Sequence, residues 1–542
     1  MRSVVACWMA IVSLSLAARS ALAATPPDPA ETARQVDAKI AAALFGPGVD
    51  VAPRTDDATF LRRVWLDLVG DIPTPEHVAA FLLDREPDKR RRAVRELLAD
   101  PQYGANWARY WRDVILYRRI EDRALIAANA LEADLAEKFN ANVPWDQVAG
   151  EFLTATGDVR ETGAAALIMA QDGRTEEVAA EAARVFLGVQ IQCAQCHDHP
   201  YDRWKRQQFH ELAAFFPRIG VRPVQTATQR SFAVVASDRP GRRRGANNEN
   251  RPTPEHFMPD LDDPAAAGTR MQPRFFLTAA TLPPGAHDAE RRATLAQWMT
   301  TNEWFAKAIV NRLWAELVGT GFYEPVDDLG PDRSATAPQA LDVLAGAFAA
   351  SGYDLKWLLE TICATEAYQR QSRPRALSDE RVPFSANVPQ PLRADVLYNA
   401  VLSALDAAEQ VPGRRAGGGG MGAYSRNRGP RAAFQETFGY DPSDPRDEIA
   451  GSIPQVLAMM NSPATAGALR ANRPGLLQRL LGEISDDGEL VAELYLQFLS
   501  REPTAQDLAT ALDHVARTDR RRQSFEDLAW ALVNSAEFRH RR

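Results

Sequence analysis

The five-residue run Cys193-Ala194-Gln195-Cys196-His197 carries the chain's most distinctive chemistry. Three cysteines strewn at random over a chain of this length would give a C-x-x-C pair in roughly 1% of cases, and requiring histidine next makes chance rarer still. On a helical turn, cysteines three apart face the same side, so their thiols can form thioethers with the two vinyl groups of one haem. The histidine that follows can then bring its imidazole under the iron as the proximal ligand, which makes haem c the first cofactor to expect. Two other chemistries use the same residues. A zinc or other divalent site would take Cys193 and Cys196 with two of His197, His199, His210 and Asp202. The run His197-Asp198-His199-Pro200-Tyr201-Asp202 is richer in ligands than a haem needs. A disulfide or thiol redox pair, or a scaffold merely stapled by one, would need only the two cysteines.

The first residues bear on compartment. Arg2, the apolar run from Val4 to Leu16 and Ala21-Leu22-Ala23 have the pattern of a secretory signal, with cleavage expected near Ala23. Arg19 ends that run before the ~18 apolar residues that a span requires. No later run is long enough, so no transmembrane segment is expected in the mature chain. A periplasmic, secreted or cell-surface location follows, and it suits covalent haem attachment, which takes place on exported chains. The net charge of −8 becomes more negative when Arg2 and Arg19 are lost, which argues against a nucleic-acid partner. Beyond residue 23 only Cys193, Cys196 and Cys363 remain, so packing rather than a disulfide framework must hold the fold. G-x-S-x-G, H-E-x-x-H and P-loop motifs are missing, so the usual hydrolase and nucleotide signatures are absent, and a metal-dependent enzyme acting on extracellular polymer stands as an alternative to the haem reading. Gly417 to Gly422 match G-x-G-x-x-G in letters only, without the strand and helix a dinucleotide site needs.

The elements that must position the motif read as helices. A chain of 542 residues exceeds one ordinary core, and two helical domains with little β structure are expected. Helical spacing covers 57–69, 75–98, 288–318, 337–350, 392–410, 488–500 and 504–537. Thr175 can cap a further helix, striped by Val178, Ala182, Val185 and Val189, that runs directly toward Cys193. Trp107, Tyr110, Trp111 and Val114 form an aromatic face suited to a core, and Ser231 to Ala236 is the best short strand. A domain over 24–221 would hold the motif, and another over 275–542 would carry a Gly/Arg-rich loop at 411–433. Residues 222–274, rich in Pro, Gly, Asn and Arg, would link them irregularly. Val64-Trp65-Leu66-Asp67-Leu68 before Pro73-Thr74 is echoed by Leu494-Tyr495-Leu496-Gln497-Phe498 before Pro503-Thr504, which suggests two similar helical hairpins.

The stretch Phe186-Leu187-Gly188-Val189-Gln190-Ile191-Gln192-Cys193-Ala194-Gln195-Cys196-His197-Asp198-His199-Pro200-Tyr201-Asp202-Arg203-Trp204 strongly resembles the core motif of planctomycete-type cytochrome-c-like secreted proteins. Arg63 to Gly70 with Pro73-Thr74 are similar to that family's N-terminal part. Trp304-Phe305, Asn311-Arg312-Leu313-Trp314, Gly352 to Lys356 and Ser452-Ile453-Pro454-Gln455 look like its usual C-terminal companion, a domain of unknown function. The likeness runs from about residue 30 to the end, and it implies a c-type haem held by the N-terminal domain. A redox partner or an extracellular polymer would be met by the C-terminal one. For a sixth iron ligand, Met258 and Met271 are the softest candidates, and His199 and His210 the nearest in sequence.

Overall fold

The computed structural model describes residues 25–225, 230–238, 254–263, 265–374, 381–407, 429–446, 449, 451–461, 475–518 and 520–542. The Gly417–Gly422 run, most of the 411–433 loop and the 239–253 stretch of the expected linker lie outside them. The fold is mainly α. Its helices are α1 Pro29–Leu44, α2 Asp57–Leu68, α3 Pro75–Leu83, α4 Lys89–Ala99, α5 Pro101–Leu116, α6 Ala128–Asn140, α7 Trp145–Thr154, α8 Ala166–Ala170, α9 Thr175–Leu187 and α10 Arg206–Ala213. After an irregular stretch come α11 Asp288–Thr300, α12 Glu303–Val318, α13 Pro338–Ala350, α14 Leu355–Ala364, α15 Glu366–Gln369 and α16 Ala394–Ala404. The chain continues through α17 Pro430–Phe438, α18 Ile453–Asn461, α19 Leu476–Glu483, α20 Asp487–Leu499, α21 Ala505–Arg517, α22 Arg521–Asn534 and α23 Ala536–Arg539.

Caps written in the sequence start many of these helices. Asp28, Asp56, Asp100, Asn302, Asp354 and Asp486 each accept a backbone N–H from the first turn. Thr74 and Thr504, the two threonines of the echoed Pro-Thr pairs, do the same for α3 and α21. The same chemistry divides three helices that periodicity reads as continuous. Residues 75–98 break between Leu83 and Lys89 around Pro87, whose ring cannot continue a helix. Residues 288–318 break at Thr301–Asn302, where Asn302 recaps the chain, and 504–537 breaks around Thr518.

Strands are few and short. β1 Gly157–Asp158 and β2 Ile219–Gln225 flank β3 Arg230–Ala236 in an antiparallel sheet, with Ile219 opposite Ala236 and Gln225 opposite Arg230. The strand read at Ser231 to Ala236 is therefore present. The boundary expected at residue 222 falls inside β2. Two-residue pairs join β4 Phe257–Met258 to β5 Thr269–Arg270, and β6 Gln390–Pro391 to β7 His540–Arg541.

The main apolar core runs from Val36 to Phe384 and draws on both sides of the 222–274 segment. α1 lies on α13 and α14, α7 on α11, and α9 on α12. A second cluster gathers α16 and the later helices, with Leu66 and Ile72 reaching in from the N-terminal part. The aromatic face of α5 is buried as expected, and Trp111 meets Trp145 at 4.3 Å between ring centroids. The described part of the 222–274 segment is built into this fold by charge. Glu255, half-buried, binds the buried Arg218 at 2.8 Å and the buried Arg291 at 2.9 Å. Ion pairs between residues so far apart leave no periodic trace, which is why composition alone reads the segment as a loose linker.

Candidate functional site

α9 delivers the motif. The sequence suggests one apolar stripe capped by Thr175, but every residue from Val178 to Leu187 is buried and Thr175 is already helical, with Arg174 before it. A helix enclosed on all sides is a rigid support. It ends at Gly188, whose φ of 66° lets its N–H reach the helix's last carbonyls. Space is also short there, since a Cβ at Gly188 would stand 2.9 Å from Leu329 and 3.3 Å from Ala308. Leu329 N–H in turn donates to the Gly188 carbonyl at 2.7 Å.

A 3-10 turn, Ile191–Gln195, follows. Ile191 and Ala194 point inward and anchor it, while Cys193 and Cys196 are exposed, unpaired thiols and His197 is exposed beside them. The alternation is what the fold needs: apolar residues fix the backbone and leave both thiols and the imidazole free. α10 holds the turn from below. Arg206 Nε donates to the Gln195 carbonyl at 3.3 Å, and its Nη2 donates to the Pro259 carbonyl at 2.6 Å, so Met258 on β4 is held one residue from a side chain that grips the motif. Asp198 accepts the Arg206 N–H at 3.0 Å and the Lys205 ammonium at 2.9 Å; together they hold its carboxyl below the ordinary range.

Hydrogen-bond partners fix the histidine tautomers. His197 Nδ1 lies 2.7 Å from the Asp198 carbonyl, which can only accept, so Nδ1 carries the proton and Nε2 offers its lone pair. His199 is the opposite case: its Nδ1 accepts the Tyr201 N–H at 3.2 Å, which puts the proton of a neutral ring on Nε2. His210 is buried, and its Nε2 donates to the Gln195 carbonyl at 3.0 Å. Its Nδ1 lies 2.8 Å from His256 Nε2, so both ring nitrogens are taken and His210 braces the turn instead of facing a ligand. Burial pushes His210 down to about 4 and lowers His256 as well, with Glu176 opposing the latter shift from 3.8 Å. Met271 is buried, its N–H on the His256 carbonyl.

The loop after α12 closes the site from the other half of the sequence. Asp327, fully buried, accepts Arg184 Nη1 at 2.8 Å and Gln190 Nε2 at 2.8 Å, with Arg312 at 3.4 Å. Burial alone would raise the Asp327 carboxyl, but Arg184 and Arg312 outweigh it and hold it far below the ordinary range. Glu181 and Ser443 complete this ionic knot around Arg184. Next to it, Asp328 pairs with Arg333 at 2.9 Å and feels the His199 ring. The Asp202 carboxylate occupies the space a Cβ at Gly330 would need, and Arg203 binds Asp332 at 2.5 Å. Sequence reading alone did not pick out His256, Glu176, Arg206, Arg184, Asp327 or Asp328. An Asp-Asp pair before Leu-Gly-Pro was the one local signal, and nothing tied it to residue 193.

Two family models match the chain. That described as PSCyt2, a protein of unknown function (DUF1549), covers residues 35–220, and that described as PSD1, a protein of unknown function (DUF1553), covers residues 291–515. The chain carries this pair of domains. The first match contains α9 and the motif, and the second contains the loop with Asp327 and Asp328, so the site lies where the paired domains meet. No curated protein and no solved structure matches the chain. No helix among the described residues is long and apolar enough to cross a membrane. Nor do three or more His, Cys, Asp or Glu side chains among them gather closely enough to hold a metal ion. In donor chemistry the motif turn suits a c-type haem: two open thiols three residues apart, then an imidazole with a free Nε2.

Proposed function

We propose that this chain is an exported c-type haem-binding protein that passes electrons to a partner or an extracellular substrate. The observation that carries the reading is the exposure of Cys193, Cys196 and His197 together on one anchored turn. Bound there, a haem would supply one-electron chemistry. Cys193 and Cys196 would hold it through their thiols, and His197 would present Nε2 while the Asp198 carbonyl fixes its ring. Of the sixth-ligand candidates, His210 is engaged at both nitrogens, which leaves Met258, Met271 and His199. The secretory pattern at residues 2–23 agrees with a group attached outside the cytoplasm.

A second reading, a non-haem divalent site at His197, His199 and Asp202, has the right ligand types within six residues of sequence, although no three such side chains are gathered closely enough among the described residues. One preparation separates the two. Protein exported alongside haem-attachment machinery should show a Soret band that survives acid–acetone extraction, and a mass raised by one haem. A colourless protein with unmodified cysteines overturns the haem reading, and stoichiometric zinc in that sample establishes the alternative.

A further inference from the structure

We infer that the arm of residues 254–271, which carries β4 and β5, is the apolar wall against which a haem held by Cys193 and Cys196 lies, with Phe257 and Leu261 as its contact residues. The inference depends on the haem reading above and adds to it residues that the motif does not contain.

Single apolar side chains on a surface are ordinary, but here two are exposed together beside the motif. Leu261 is 61% exposed and Phe257 43%. One guanidinium ties their arm to the turn. Arg206 donates from Nη2 to the Pro259 carbonyl at 2.6 Å and from Nε to the Gln195 carbonyl at 3.3 Å. Gln195 lies between Cys193 and Cys196, and Pro259 lies midway between Phe257 and Leu261. Both exposed thiols and both exposed apolar side chains therefore start within two residues of the same clamp.

The arm is braced at its root and at its tip. Glu255 joins Arg218 and Arg291, and the His256 ring stacks on His210 with centroids 5.1 Å apart. The Met271 N–H closes on the His256 carbonyl at 2.9 Å, and Phe257 pairs with Arg270. Gly268, at a φ of 70°, passes so near β4 that a Cβ there would stand 2.3 Å from the Met258 carbonyl. At the tip, Asp260 Oδ1 accepts the N–H groups of Asp262 and Asp263 at 3.0 and 3.3 Å, a tight turn that lifts Leu261. Such turns are ordinarily polar throughout. A rigid arm that keeps a leucine and a phenylalanine in water beside two open thiols suits a ligand with apolar faces. A porphyrin is one: its thioethers would fix it at the turn, and losing water from its face and from the arm favours their contact.

The test compares two preparations of the full chain, both exported with haem-attachment machinery: wild type, and Cys193→Ser/Cys196→Ser, which cannot form thioethers. Hydroxyl-radical footprinting read by mass spectrometry reports the exposure of each side chain. Haem should lower the oxidation of Phe257 and Leu261 roughly threefold, since contact with a ring covers most of their open surface. Leu83 and Ile453, 74% and 76% exposed, should be oxidised equally in both preparations. Phe257→Ser/Leu261→Ser should leave Tm unchanged in the haem-free background, because surface substitutions cost little. In the loaded protein it should remove about half of the rise in Tm that haem gives. A Soret band with unchanged footprints at Phe257 and Leu261 overturns the wall and leaves the haem reading standing. Absence of any Soret band overturns both.

Discussion

Once one nitrogen of a histidine has a partner, the other is no longer equivalent to it, and that fact ranks the imidazoles around Cys193. His197 offers a lone pair at Nε2, while His199 spends its own on the Tyr201 N–H. His197→Ala should therefore abolish the native spectrum of the haem-loaded protein or block maturation, and His199→Ala should change the Soret maximum little. Equal loss in both would show that the tautomer argument fails. His210 makes a separate prediction through pH. Its imidazole titrates near 6.5 when unfolded but is pushed down to about 4 in the fold, so between those values only the unfolded chain takes up the proton. Stability from this residue is full above about pH 6.5 and is lost as pH falls toward 4. Asp37 and Asp113, pushed up to about 6 by burial, act in the opposite sense over the lower part of that window. The informative quantity is thus the difference between wild type and His210→Phe. The variant's urea midpoint should fall less steeply from pH 7 to 4.5, and parallel curves would count against the assignment.

At the scale of elements, the motif turn is positioned by what ends α9 and what lies against that end. Gly188→Ala must hold a Cβ at a φ of 66° and press it toward Leu329 and Ala308. The left-handed strain alone is roughly 1–2 kcal/mol, and the contact adds to it. We expect a loss of about 2–3 kcal/mol in urea unfolding, and an unchanged midpoint would count against the crowding at this turn. Asp327→Ala should cost more, about 3–5 kcal/mol, because it leaves Arg184 and Arg312 charged and buried without their shared anion. Arg312 already keeps one buried nitrogen unpartnered, so little remains nearby to take up the slack. If Asp327→Ala unfolds at the wild-type midpoint, the ionic knot does not hold the two halves of the site together.

The whole molecule obeys a division that the core ignores. The two family matches fall on either side of the 222–274 segment, but the apolar cluster joins α1 to α13 and α14, and α7 to α11, across it. A fragment of residues 25–221 would expose the Val36 and Ile40 face of α1 together with much of α7 and α9. It should bind a hydrophobic dye and melt without a cooperative transition; a sharp transition with native-like chemical-shift dispersion would contradict the shared core. By itself the sequence determined what is local. Periodicity marked most helices, Asp, Asn and Thr caps started them, and Cys193-Ala194-Gln195-Cys196-His197 announced its own chemistry, because each depends on residues within one or two turns. Only the tertiary structure decided what surrounds the motif. Asp327 reaches Arg184 from 143 residues away, His256 reaches His210 from 46, and Arg62 meets Phe498 from 436. Packing brings such pairs together, and no local pattern in a single sequence records which distant charges will share a buried volume.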